Sequence, residues 1–288
     1  MHREIRWPLR HMVLAGLHWP ARNPETRGVP VVMLHGWMDN CLTFAKMAPL
    51  LTELGDVYAI DMAGHGHSDH RPPAQSYLLV DYVADLAELL DTHFDGPVRL
   101  VGHSLGGVIS LLYTAAFPEK VSRLSIIDSF GPLSRSPSQV IPELRRALLK
   151  RQAGSGRSPL YDSVDAAAEA RAGGFSPLSH EAAHILVPRN LREVDGGYCW
   201  RTDPRLRHPS MMAFDEDQVM AALKAVSTET LLLLAEEGLL AKNSNVQARF
   251  DAVTSLQVST VPGTHHCHLD GDVEPMSDLI KEFLQDDA

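Results

Sequence analysis

Val98-Arg99-Leu100-Val101-Gly102-His103-Ser104-Leu105-Gly106-Gly107 is the stretch on which the fold turns. A β-branched run leads into the pentapeptide Gly-x-Ser-x-Gly, and a helix-like run from Leu105 to Ala116 follows. Strand, sharp turn and helix is the context a nucleophile elbow requires. A serine on so tight a turn needs small flanking residues, because only glycine lets the backbone pass that closely. The free N–H groups of the helix start favour negative charge developing on a bound carbonyl oxygen. Two glycines and a serine at these spacings arise by chance in a chain of this length roughly once in ten sequences. Context and partner residues therefore decide.

Working outward, residues 5–7 and 12–19 read as an entry hairpin around Pro8, and 29–35 as a buried strand bounded by Gly28 and Gly36. Residues 42–54 have helical spacing, 57–61 form a short buried strand, and 80–90 an amphipathic helix. After the elbow, 124–128 is the next strand. From Pro132 to about Thr228 no strand run is visible, and the composition turns to Ala, Arg, Ser, Pro and Gly with helical pieces at 143–151 and 165–172. Strand and helix resume at 230–235, 256–261 and 276–284. This alternation predicts an α/β fold with a mostly parallel sheet covered on both faces. The expected division is a core of residues 1–131 and 229–288 and a helical cap of 132–228 over the carboxyl edge of the sheet, where open α/β sheets bind ligands.

The 288 residues suit one large domain with an insertion, and 44% hydrophobic content supports a packed core. Net charge is −10, with no basic patch, so nucleic acid is not an expected partner. No apolar run is long enough to span a bilayer, and Met1–Arg6 is charged without an apolar signal core. Cys41, Cys199 and Cys267 are scattered without C-x-x-C spacing, which reads as reduced thiols in a cytoplasmic protein.

A serine hydroxyl needs a base within hydrogen-bond reach. His265, His266 and His268, after the last predicted strand, compete for that role; with Asp270 they could instead form a zinc cluster, but the elbow already accounts for a histidine here. The acid that orients the base is Asp128 or one of Glu236 and Glu237, each at a strand end. The Trp37 N–H, after His35-Gly36, can join the Leu105 N–H as an oxyanion hole. Asp61-Met62-Ala63-Gly64-His65-Gly66-His67-Ser68-Asp69 is a Gly-rich turn without the Lys-Ser/Thr of a phosphate loop; we read it as structural, with Asp61 and Ser68 bonding the backbone. Phe175, Leu178, Tyr198, Trp200, Met211, Met212 and Phe214 are candidates for an apolar pocket or for the core of the cap, core being favoured for most. Arg189, Arg192 and Arg201 read as solvated surface rather than as contacts to an acidic substrate.

Taken together, His35-Gly36, Asp61-x-x-Gly64-His65-Gly66-x-Ser68, Gly102-His103-Ser104-Leu105-Gly106-Gly107 and Gly263-Thr264-His265 with Asp270 resemble the α/β-hydrolase superfamily over nearly the whole chain. His35-Gly36-Trp37-Met38-Asp39-Asn40 and His265-His266-Cys267-His268-Leu269-Asp270 look like its serine hydrolase-like (Kraken-type) subgroup. The resemblance implies an eight-stranded sheet with a cap between the sixth and seventh strands. It implies His265 as base, since the family's histidine commonly precedes an acidic residue by five positions. The chain departs from the family at the seventh strand, where Ala235-Glu236-Glu237-Gly238 replaces the frequent Gly-x-x-Asp. Some capped members carry the acid after the sixth strand, and we place Asp128 ahead of Glu237. The expectation is a serine hydrolase, needing no metal or cofactor, that cleaves a small-molecule ester with a small or medium apolar acyl group. Ser104 argues against dehalogenases and epoxide hydrolases, which use Asp; C–C hydrolases, lactonases, thioesterases, perhydrolases and a non-catalytic ligand binder remain alternatives.

Overall fold

The computed structural model describes residues 2–23, 28–242 and 246–285. Arg3–Pro8 (β1) and Val13–Trp19 (β2) form the entry hairpin, followed by Val31–Leu34 (β3), Val57–Asp61 (β4) and Leu79–His93 (α1). Val98–His103 (β5), Leu105–Ala116 (α2) and Val121–Ile127 (β6) complete the first half. Next come Val140–Ala153 (α3), Leu160–Tyr161 (β7), Val164–Ala172 (α4), His180–Asn190 (α5), Leu191–Val194 (β8), Gly197–Trp200 (β9) and Glu216–Lys224 (α6). Thr230–Glu237 (β10), Val246–Phe250 (α7), Leu256–Thr264 (β11) and Glu274–Leu284 (α8) close the chain.

The main sheet has eight strands in the order β1-β2-β4-β3-β5-β6-β10-β11. Only β2 runs against the others. Its central strands are continuously apolar because both faces are covered. The pleat still sorts their side chains. Val32, Leu34 and Leu100 point to a core shared with Leu86 and Leu89 of α1 and Ile109 and Leu111 of α2. Val31, Met33 and Val101 point to a second core with Phe44, Met47 and Leu51 and with Ile280 and Phe283 of α8.

Two expectations are corrected. Residues 42–54 do not form one helix but two short 3-10 turns, Cys41–Phe44 and Ala48–Leu51. Pro49 has no N–H to give a continuous helix and opens the second turn instead; Phe44, Met47, Ala48 and Leu51 of the pattern are buried all the same, and Leu54 is half-buried. The insertion is also not purely helical, since β7, β9 and β8 form a small antiparallel sheet. Its hairpin pairs Val194 with Gly197 across Asp195-Gly196, with Gly196 at φ 88°. Asp-Gly between two apolar runs is a strong hairpin signal, and it stood unread in the sequence. At the far end of the insertion, Val219 and Leu223 of α6 pack into the core that holds α1 and α2. No helix among the described residues is long and apolar enough to cross a membrane.

Helix α2 begins hard against the sheet. A Cβ on Gly106 would lie 2.1 Å from the Leu34 carbonyl oxygen, and one on Gly102 would lie 2.5 Å from Gly107 Cα. Gly106→Ala must move a helix away from a strand, and is expected to cost at least about 1–3 kcal/mol. A lowered denaturation midpoint checks this; an unchanged midpoint would contradict so close a packing.

Candidate active site

Strand order reverses between β3 and β5, and such switch points are where open parallel sheets take their ligands. Ser104 stands at that point, between β5 and α2, with φ 51° and ψ −117°. Non-glycine residues rarely occupy this region, at a cost of about 1–3 kcal/mol. The surroundings hold the turn in place. Ser104 N donates to the Ile127 carbonyl at 3.0 Å, and Gly106 N to the His35 carbonyl at 3.1 Å. Ser129 Oγ donates to the Ser104 carbonyl at 2.8 Å, a support that the sequence reading missed.

The structure brings Ser104 and His265 to one cavity and places Asp128 behind the histidine. His265 Nδ1–H donates to Asp128 Oδ2 at 2.6 Å. That bond sets the tautomer and leaves Nε2 as the acceptor nitrogen. Asp128 follows β6 at φ 47°, its N–H bonded to the Leu233 carbonyl at 2.9 Å. Its Oδ2 also accepts from Leu239 N at 2.8 Å. Gly238 makes this possible, because a Cβ there would sit 2.2 Å from Asp128 Oδ1. Glu236 and Glu237 are exposed at the end of β10, and among the described residues the hydrogen-bond partner of the His265 ring is Asp128.

The other histidines have different partners. His266 Nε2–H donates to Asp39 Oδ2 at 3.0 Å, and its Nδ1 accepts from Ser176 Oγ at 3.1 Å. His268 Nε2 bonds Thr43 Oγ1 at 2.7 Å. Asp270 accepts from Ser179 N at 2.8 Å, at the start of α5. His265, His266, His268 and Asp270, weighed as a zinc cluster, thus turn their polar atoms to separate partners. Among the described residues a different buried trio, Asp39, His103 and His266, brings three donor atoms within 4.8 Å of one another. Arg171 Nη2 donates to Asp39 Oδ1 at 2.9 Å, and that guanidinium opposes a metal cation there. Burial alone would push the Asp39 carboxyl up, but His266 and Arg171 beside it outweigh burial and hold it well below the usual carboxylate range.

Trp37 and Leu105, the two residues read as an oxyanion hole, follow β3 and β5. Leu105 is the first residue of α2, whose first-turn N–H groups lack a partner within the helix. Trp37 follows β3 and lines the cavity; its Nε1–H donates to the Leu206 carbonyl at 3.1 Å. The next residue, Met38, has φ 68° and donates its N–H to His65 Nε2 at 3.2 Å. His65 thus shapes this loop from the Gly-rich turn after β4. In that turn Asp61 accepts from Cys41 N and His67 N, and Ser68 Oγ donates to the Asp61 carbonyl, the structural role read from the sequence.

The cavity measures roughly 280 Å³. Trp37, Met38, Tyr161, Phe175, Trp200 and Leu239 give it apolar walls, and Arg171 and Arg207 add charge. Of the seven apolar candidates only Phe175 and Trp200 line it. Leu178, Tyr198 and Phe214 pack into hydrophobic clusters, Met211 lines another cavity, and Met212 is exposed. Arg189 is not the solvated residue expected but is buried against Asp61 and Glu4.

Burial pushes the imidazoles of His35, His65, His103 and His268 below their ordinary range, His65 to about 3. The folded protein keeps these rings neutral at pH values where the unfolded chain, with ordinary values near 6.5, takes up protons. Their contribution is complete above about pH 6.5 and is lost as the pH falls, at up to about 1.4 kcal/mol per pH unit for each ring. Denaturation midpoints are expected to drop steeply between about pH 6.5 and about pH 5; a flat profile would contradict neutral buried rings.

Comparison with known proteins agrees with this architecture. A family profile described as alpha/beta hydrolase fold matches residues 29–272. A serine hydrolase-like protein of Danio rerio is 31% identical over 98% of this chain and 88% of its own length. The crystal structure of a hypothetical protein from Pseudomonas aeruginosa PAO1 superposes with a TM-score of 0.89 at 35% identity, covering 97% of each chain. A thioesterase domain from the curacin biosynthetic pathway, 24% identical, shares the fold with a TM-score of 0.84 over 97% of this chain and 99% of its own. With the profile spanning most of the sequence and a relative matching nearly end to end, the chain belongs to the α/β hydrolase fold family, within its serine hydrolase-like branch.

Proposed function

We propose that this hydrolase cleaves carboxylic esters of small or medium apolar acyl groups through an acyl-enzyme on Ser104. The observation that carries the reading is the His265 Nδ1–Asp128 Oδ2 bond of 2.6 Å beside a cavity that also holds Ser104. Ser104 Oγ attacks the ester carbonyl while His265 Nε2 takes its proton. The Trp37 and Leu105 N–H groups receive the oxyanion. His265 returns the proton to the leaving alcohol, which departs as the acyl-enzyme forms. Water, deprotonated by His265, then attacks the acyl carbonyl and releases the acid with Ser104 regenerated. Asp128 holds the ring and stabilises its cation throughout.

The apolar walls support an acyl site, and Tyr161, Phe175 and Trp200 support reading residues 132–228 as a cap over it. Cytoplasmic residence fits the three cysteines, all free and buried. A series of p-nitrophenyl esters of increasing acyl length tests the reading. We expect kcat/KM to rise with chain length and then fall once the acyl group outgrows the cavity. A profile indifferent to length would contradict an acyl site in this cavity.

A further inference from the structure

Two arginines close to the cavity are fully answered. Arg171, from α4, donates to Asp39 Oδ1 and to the Ser176 carbonyl, both at 2.9 Å. Arg205 is held by the Asp203 carboxylate and by the carbonyls of Arg71, Pro72 and Gln75. Arg207, two residues further on, lines the cavity that contains Ser104 and has no hydrogen bond or ion pair among the described residues.

The charges around the cavity therefore do not cancel. Arg171 is balanced by Asp39, and the imidazolium that forms on His265 is balanced by Asp128. Arg207, exposed at the rim of the cavity, has no anion beside it among the described residues. Its backbone is also fixed on the approach side. Asp203 Oδ1 accepts from Arg205 N at 2.9 Å, and Leu206 is buried with its carbonyl taking the Trp37 indole N–H. A guanidinium fork matches the paired oxygens of a carboxylate or phosphate. Trp37, Tyr161 and Trp200 line the same cavity and offer apolar surface to the chain that would join such an anion to the ester.

We infer that the substrate is an ester carrying an anionic group, carboxylate or phosphate, a few atoms from the scissile carbonyl, and that Arg207 binds this group. The inference rests on the reading of Ser104 as nucleophile.

The test compares p-nitrophenyl valerate with mono-p-nitrophenyl glutarate, which differ by a terminal methyl against a carboxylate. In the parent protein kcat/KM is expected to favour the glutarate. In Arg207→Gln the glutarate-to-valerate ratio is expected to fall about tenfold to a hundredfold, as for loss of a charge-assisted hydrogen bond. Arg207→Lys should keep part of the preference. An equal ratio in parent and Arg207→Gln would overturn the inference while valerate turnover through Ser104 stood. Hydrolysis of both esters by Ser104→Ala would overturn the nucleophile reading, and this inference with it. Monomethyl glutarate and butyl phosphate as inhibitors of valerate hydrolysis identify the anion, the tighter one naming it. Inhibition by neither counts against an anion site.

Discussion

Ser104→Ala is expected to lower ester kcat by about 10⁴- to 10⁶-fold while the protein stays folded. The change removes one oxygen from a side chain that lines a cavity, so core packing is untouched. A companion variant separates chemistry from strain. Ser104 sits at φ 51° and ψ −117°, where glycine is at ease and other residues are not. Ser104→Gly should be as inactive as Ser104→Ala yet more stable than the parent. Relief of about 1–3 kcal/mol of backbone strain outweighs the roughly 0.5–1 kcal/mol that glycine costs in chain entropy. A higher Tm for Ser104→Gly would show a serine held in strain for its function; a lower one would contradict strain at the elbow.

The second large effect concerns the acid. Asp128→Asn is expected to reduce kcat by on the order of 10⁴-fold, because an amide no longer selects the His265 tautomer with its proton on Nδ1. The residue is 2% exposed, so circular dichroism and a denaturation midpoint must accompany the rate. Gly238→Ala reaches the same group from outside. Its new Cβ would lie 2.2 Å from Asp128 Oδ1 and must displace the carboxylate. A shift of about 1 Å in such an array can cost 10²-fold in rate, so kcat should fall by about 10- to 100-fold with a smaller change in KM. Glu237→Gln, at an exposed position, should leave kcat within about twofold, as surface changes usually do. A larger loss for Glu237→Gln than for Asp128→Asn would reverse the assignment of the acid.

The elbow was legible because its constraints are local: a buried strand, two flanking glycines and an apolar helix lie within twenty residues. The buried strands were legible because short, continuous apolar runs are at home in a sheet covered on both faces. Asp128 was placed ahead of Glu237 by resemblance alone, since the residues themselves left several carboxylates open and the environment of each depends on the end of a neighbouring strand. Gly238 is the local trace of that choice. It stands beside the Asp128 carboxylate, and its missing side chain makes the room.

What escaped the sequence was non-local or competed with a stronger pattern. Apolar spacing over 42–54 suggested a helix, but Pro49 and the Asn40 cap impose turns. Arg171 and Arg207 gave no periodic signal, and their place in the cavity follows only from contacts between segments far apart in the chain. Arg189 looked like surface and is instead buried, because its partners Asp61 and Glu4 lie 128 and 185 residues away. Burial of His35, His65, His103 and His268 beneath the elbow was equally invisible, although it sets the expected acid sensitivity.

The central claim is that Ser104 is an activated nucleophile. The most direct measurement is to react the folded protein with a fluorophosphonate probe and map the modified residue by peptide mass spectrometry. The account predicts one adduct, on Ser104, formed rapidly in the parent and much more slowly in Asp128→Asn. A folded, catalytically competent protein modified elsewhere, or modified equally fast after Asp128→Asn, would contradict it.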